Sequence, residues 1–129
     1  MLVKGPTGWD VIRPAAFRAD GAWDYVLQSG PILIERPGII GIRHDGGPLA
    51  RRSAVCVGAS SVTLAATDAE ITLYRWALTL RDRARQGRWD CPVALNLDGG
   101  PSTGFYATDG IPALTEAWPV ANVLVLKSR

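Results

Sequence analysis

The run Pro92-Val93-Ala94-Leu95-Asn96-Leu97 and its abrupt end at Asp98-Gly99-Gly100-Pro101 constrain the fold more than any other stretch of the chain. The run is apolar except at Asn96, which suits a strand buried on at least one face. That strand cannot continue. Adjacent glycines widen the accessible φ range and Pro101 removes a ladder donor, so the backbone must turn sharply just past Asp98. A carboxylate is left at the lip of a sheet, beside free backbone N–H groups and the hydroxyls of Ser102 and Thr103. Asp-Gly is also a frequent hairpin dipeptide, so a plain turn accounts for the same residues.

The flanking chain supplies partners for such a strand. Tyr25-Val26-Leu27 and Ile32-Leu33-Ile34 read as strand segments broken at Gly30-Pro31, which exposes Gln28 and Ser29 at the break; a simple bend explains it equally well. Residues 52–66 read as a β-hairpin turning about Gly58-Ala59-Ser60-Ser61. Thr67-Asp68-Ala69-Glu70 has the form of a capping box, so a helix is expected to follow. Leu73, Trp76, Ala77, Leu80 and Ala84 recur at helical spacing as its core stripe, and Gly87 is its expected stop. Residues 104–107 are expected to return as a partner strand, residues 108–119 to form a loop, and residues 122–127 to close the chain as a strand. Residues 1–22 show no sustained period and read as irregular, or as one short strand with loops. Together these elements predict a single α+β domain: a mixed, mainly antiparallel sheet with one main helix packed on it.

Composition excludes several classes of function. Fourteen basic against 12 acidic residues leave a net charge of +2, too balanced for broad nucleic-acid binding. The most basic segment, residues 81–88, falls at the end of the expected helix, where cations complement the dipole. No apolar run reaches the roughly 18 residues of a membrane span. Met1 to Asp10 lacks the apolar core of a signal peptide, so the chain as given is expected to be cytoplasmic. The 2 cysteines, Cys56 and Cys91, have no metal-binding spacing and read as free, small hydrophobes, with a single bridge between them left open. Neither an H-E-x-x-H motif nor a clustered acidic run marks a metal site; Asp98 with Asn96 offers only a weak set for a hard cation. No cofactor is expected. His44, the only histidine, lies in the Gly- and Pro-rich segment 36–52 and reads as a solvated loop residue, or as a proton carrier over a site.

Three stretches, in order, carry a resemblance. Leu27-Gln28-Ser29-Gly30-Pro31-Ile32-Leu33 is similar to Q-S/A-G-P-x-L, Arg52-Ser53-Ala54-Val55 to R-T/S-A-V, and residues 94–103 to A-L-N-L-D-G-G-x-S-S. These are motifs of the phosphodiester glycosidase family, uncovering-enzyme-like proteins acting on N-acetylglucosamine-1-phosphodiesters. The resemblance covers about residues 25–126; it places a helix over 71–82 and a closing strand at Asn122-Val123-Leu124-Val125. There are departures. The family usually begins with further strands carrying an N-G-x-F segment, to which nothing here corresponds; Cys56 and Pro101 stand where glycine is frequent.

The resemblance implies hydrolysis of the glycosidic bond of a sugar-1-phosphodiester. Asp98 would serve the oxocarbenium-like transition state and Arg52 the phosphate, because a planar guanidinium makes two parallel hydrogen bonds to phosphate oxygens. Arg52 reads equally as a surface charge; Arg51 would point to the opposite face. Gln28, Ser29, Gly30, Asn96, Gly99, Gly100, Ser102 and Thr103 would line the sugar or phosphate pocket. Asp68 and Asp109 are candidates for a second carboxylate. The alternatives are a phosphoglycan-binding module without catalysis, or an inactive remnant. Gly100-Pro101-Ser102-Thr103-Gly104 also fits G-x-S-x-G, but a serine hydrolase needs a helix directly after its serine and a histidine downstream, and neither is expected here. The same glycines lack the lysine of a phosphate-binding P-loop.

Overall fold

The computed structural model describes residues 1–108 and 110–127 and builds the chain from antiparallel pairs. The longest is the hairpin of β6 (Ala50–Val57) and β7 (Val62–Ile71), closed by a hydrogen bond from Gly58 N to Ser61 O. The predicted central strand, β8 (Val93–Asn96), lies between β6 and β4 (Ile32–Glu35), while the short β5 (Ile39–Ile40) flanks β4; the sheet order is β5-β4-β8-β6-β7. A smaller sheet has the order β2-β1-β3, from β1 (Leu2–Gly5), β2 (Gly8–Val11) and β3 (Tyr25–Leu27). The break at Gly30-Pro31 therefore does more than bend one strand: it carries the chain from the small sheet to the large one.

Alternation along the central strands divides the core into two layers. Ala54, Cys56 and Ala94 face helix α1 (Leu73–Arg85) and pack with Trp76, Ala77, Leu80 and Leu33. Val55, Val57, Val93 and Leu95 face the small sheet and pack with Leu2 and Val11. The helix and the small sheet thus cover opposite faces of the large one, and only side chains of period two fit between them. The expected α+β architecture is found, with every strand pairing among the described residues antiparallel.

Several expectations are corrected. Residues 1–22 are not merely irregular: β1 and β2 form a hairpin whose turn is Pro6-Thr7, with Gly8 at φ +100°. Strands this short show no period, so the turn residues alone dominated the reading. Helix α1 is capped by Thr72, which accepts from Arg75 N at 3.2 Å, not by Thr67. Thr67 stays in β7, paired with Arg52, and its hydroxyl bonds locally to Ala69. Pairing with the eight residues of β6 outweighs a local capping signal. Past Asp98 no partner strand forms; Phe105 makes a single bridge to Leu114, because β4 and β6 already occupy both sides of β8. Residues 122–127 form no strand, with Val123 and Val125 exposed at 75% and 74%, and only Leu124 reaching the core between the sheets.

Cys56 and Cys91 are not free. They form a buried disulfide with Cα atoms 5.0 Å apart, linking β6 to the entry of β8. Each sits in the apolar setting expected, but fold topology, not spacing, brings them together. Gly87 ends α1 as expected, at φ +70° with its N–H on Ala84 O.

Asp45 ties the loop after β5 to the start of α1, accepting from Arg75 Nε at 2.8 Å and from the Thr72 hydroxyl. These bonds hold its carboxyl below the ordinary value of 3.8. A depressed folded-state pKa stabilises above the unfolded value and loses that contribution as pH falls through the folded one. Asp45→Asn is therefore expected to lower Tm at neutral pH, with the difference from the parent shrinking below about pH 4; a pH-independent difference would assign the loss to packing instead.

Candidate functional site

Antiparallel register brings the predicted residues to one end of the large sheet. Ala54 pairs with Asn96, Leu97 N donates to Ser53 O at 2.9 Å and the Ser53 hydroxyl donates to Asp98 O, so the Asp98-Gly99 turn lies against the start of β6, with Gly99 alongside Arg52. Asp98 is exposed, and its Oδ1 accepts from Gly99 N at 2.9 Å. One carboxylate oxygen thus fastens its own turn, and Oδ2 makes no hydrogen bond among the described residues. Gly100, at φ +62°, enters a short 3-10 turn over Gly100–Ser102, which Thr103 N closes on Gly100 O at 3.1 Å. No helix follows Ser102, which removes the nucleophile-elbow geometry.

Gly99 is where backbone and cation meet. A Cβ there would lie 3.0 Å from Arg51 O and 3.8 Å from Arg52 Nη1, so glycine lets the turn press against β6 without displacing the Arg51 carbonyl. Arg52 is 9% exposed. Its Nε donates to Ile71 O at 3.1 Å and its Nη2 to Pro48 O at 2.6 Å. None of the ion pairs among the described residues involves it, and desolvation pushes its pKa down. Arg51 projects elsewhere and fastens the chain beyond the turn through Thr103 O and, at 2.7 Å, Thr115 O.

On the opposite side of β8, Ser29 Oγ donates to Asn96 O at 2.8 Å, and Asn96 Nδ2 donates to Gly30 O at 3.1 Å. Ser29, Gly30 and Asn96 are thus joined, with the serine hydroxyl committed to holding backbone; Asn96 Oδ1 is buried without a partner among the described residues. Gln28 is exposed at the break, one residue earlier. Thr103 is fully buried, which takes it off any solvent-facing lining. Asp68 lies on the outer strand β7, at the rim of an apolar cleft of about 330 Å³ lined also by Leu64, Trp89, Phe105 and Leu114. Asp109 falls outside the described residues. His44 is exposed in the loop before β6. Among the described residues no cluster of His, Cys, Asp and Glu could hold a metal ion, and no helix is long and apolar enough to cross a membrane.

Two residues near the turn were not singled out from the sequence. Ser53 bonds through Oγ to Asp98 O; the R-T/S-A-V stretch places it beside the cation, but nothing in that motif says which backbone oxygen its hydroxyl meets. Glu116 reaches the turn because Ala117 N and Trp118 N both bond to Pro101 O; its Oε2 accepts from Tyr106 OH at 2.8 Å and would lie 2.8 Å from a Cβ at Gly104. Its own backbone N–H, then Tyr106, hold its carboxyl below the usual range, and no local pattern announces it.

No curated protein and no solved structure matches the chain. The family model described as phosphodiester glycosidase matches residues 4–127, opening ahead of the motif-bearing stretch that begins at residue 25. That match spans nearly the whole sequence, and the chain belongs to the phosphodiester glycosidase family.

Proposed function

We propose that this domain hydrolyses the glycosidic bond of a sugar-1-phosphodiester, with N-acetylglucosamine-1-phosphodiesters as the substrate class. One observation carries the reading: a buried guanidinium with no carboxylate paired to it among the described residues, alongside the Gly99 turn that follows the exposed Asp98. A buried charge left without a counter-charge is costly, and a phosphate would supply both the charge and a match for the planar fork. In that arrangement Nη1 of Arg52 holds a phosphate oxygen, while Oδ2 of Asp98 stabilises or attacks the anomeric carbon as positive charge develops. A phosphate leaves readily as an acidic group, so the site needs cations and amide donors more than a strong acid.

Release of N-acetylglucosamine from a synthetic phosphodiester tests the reading directly. Arg52→Lys keeps the charge but loses the fork, and is expected to raise KM and weaken inhibition by inorganic phosphate by roughly tenfold, the scale of one charge-assisted hydrogen bond. Undiminished phosphate inhibition in that variant would count against the role of Arg52.

The engagement of Asp98 Oδ1 in its own turn favours a second reading, a phosphoglycan-binding module without turnover. Binding of the diester with no sugar release is the result that selects it. The buried Cys56–Cys91 bridge supports maturation in an oxidising compartment.

A further inference from the structure

We propose that Ser53 is a positioning residue for Asp98, a role that rests on the hydrolase reading above. Ser53 holds the end of β8 twice: its carbonyl accepts from Leu97 N at 2.9 Å, and its hydroxyl donates to Asp98 O. The Asp98-Gly99 peptide is trans, so its C=O and N–H point in opposite directions. Holding the carbonyl toward β6 therefore aims Gly99 N–H the other way, where it donates to Asp98 Oδ1 at 2.9 Å. The serine thus sets the carboxylate through one rigid plane. Gly99 leaves its turn lying close against β6, where an added Cβ would come within 3.0 Å of Arg51 O. Rotation of the Asp98-Gly99 peptide plane would swing the carboxylate, and the Ser53 hydroxyl opposes it through its bond to Asp98 O. Ser29 does the matching work two residues earlier, on Asn96 O, from the other side of the strand.

The test compares two isosteric β-branched variants of the full chain, Ser53→Thr, which keeps a hydroxyl, and Ser53→Val, which does not. In Ser53→Val, NMR hydrogen exchange at the Gly99 amide is expected to quicken by about tenfold, the scale of one lost hydrogen bond, with Leu95 unchanged. Its kcat on the phosphodiester is expected to fall about 100-fold with KM within about twofold, because a misaimed carboxylate loses geometry rather than binding. Ser53→Thr is expected to stay near the parent in both. Equal exchange at Gly99 in the two variants overturns the proposal, as does altered exchange with unaltered kcat. Should the parent chain release no sugar, the hydrolase reading fails by itself, and the Gly99 exchange ratio alone then decides the positioning: about tenfold supports it and unity overturns it.

Discussion

Asp98→Asn is expected to lower kcat on a sugar-1-phosphodiester on the order of 1000-fold while leaving Tm almost unchanged, as removal of a group acting on transition-state charge does. The two effects separate because of how Asp98 is held. An asparagine Oδ1 can still accept from Gly99 N, so the turn keeps its internal bond, and the side chain is exposed, where substitutions seldom cost more than about 0.5 kcal/mol. What the variant loses is the negative charge of the carboxylate. Steady-state kinetics with a thermal melt decide the matter. A kcat within a few-fold of the parent would reduce Asp98 to a turn residue, and a large fall in Tm would make its role structural.

Removing the Cys56–Cys91 bridge, by the double change Cys56→Ala and Cys91→Ala, is expected to cost roughly 4 kcal/mol, the loop-closure entropy of a bridge across this separation. The bridge spans 35 residues and encloses the turn into β7, the whole of α1 and the approach to β8. For a domain of this size the loss corresponds to a fall in Tm of roughly 10–20 °C, and reduction of the parent by dithiothreitol should reproduce it. Loss of only a degree or two in both experiments would mean that residual structure already restricts the unfolded chain as much as the bridge does.

The hairpin of β6 and β7 and the helix were legible because each carries a local pattern and a local stop: apolar runs on either side of Gly58-Ala59-Ser60-Ser61, a stripe from Leu73 to Ala84, and Gly87. What was not legible depends on pairing at a distance. Thr67-Asp68-Ala69-Glu70 has the letters of a cap, yet Arg52 pairs with Thr67 and keeps it in the sheet. Residues 122–127 alternate like a strand, but alternation specifies faces and not the presence of a neighbour. Arg52 and Asp98 stand out through motifs, and the structure adds that the turn carrying Asp98 lies against β6, with Gly99 alongside Arg52. Ser53, Glu116 and the disulfide needed that register first, since no spacing within the chain encodes which backbone oxygen a serine will meet.

The position of β8 has a consequence for how the molecule is made. It is the last of the strands in chain order, yet it sits in the middle of the large sheet, between β4 and β6. Until residue 96 is available, β4 and β6 have a gap between them that nothing earlier in the chain fills. Closing it requires insertion of a strand whose partners lie about 60 and 40 residues upstream, a high-contact-order step of the kind that slows folding. That insertion also brings Asp98 up to Arg52 and Ser53. Refolding followed by stopped-flow fluorescence and by recovery of turnover should therefore give one shared slow phase, because zipping the sheet and assembling its functional end are a single event.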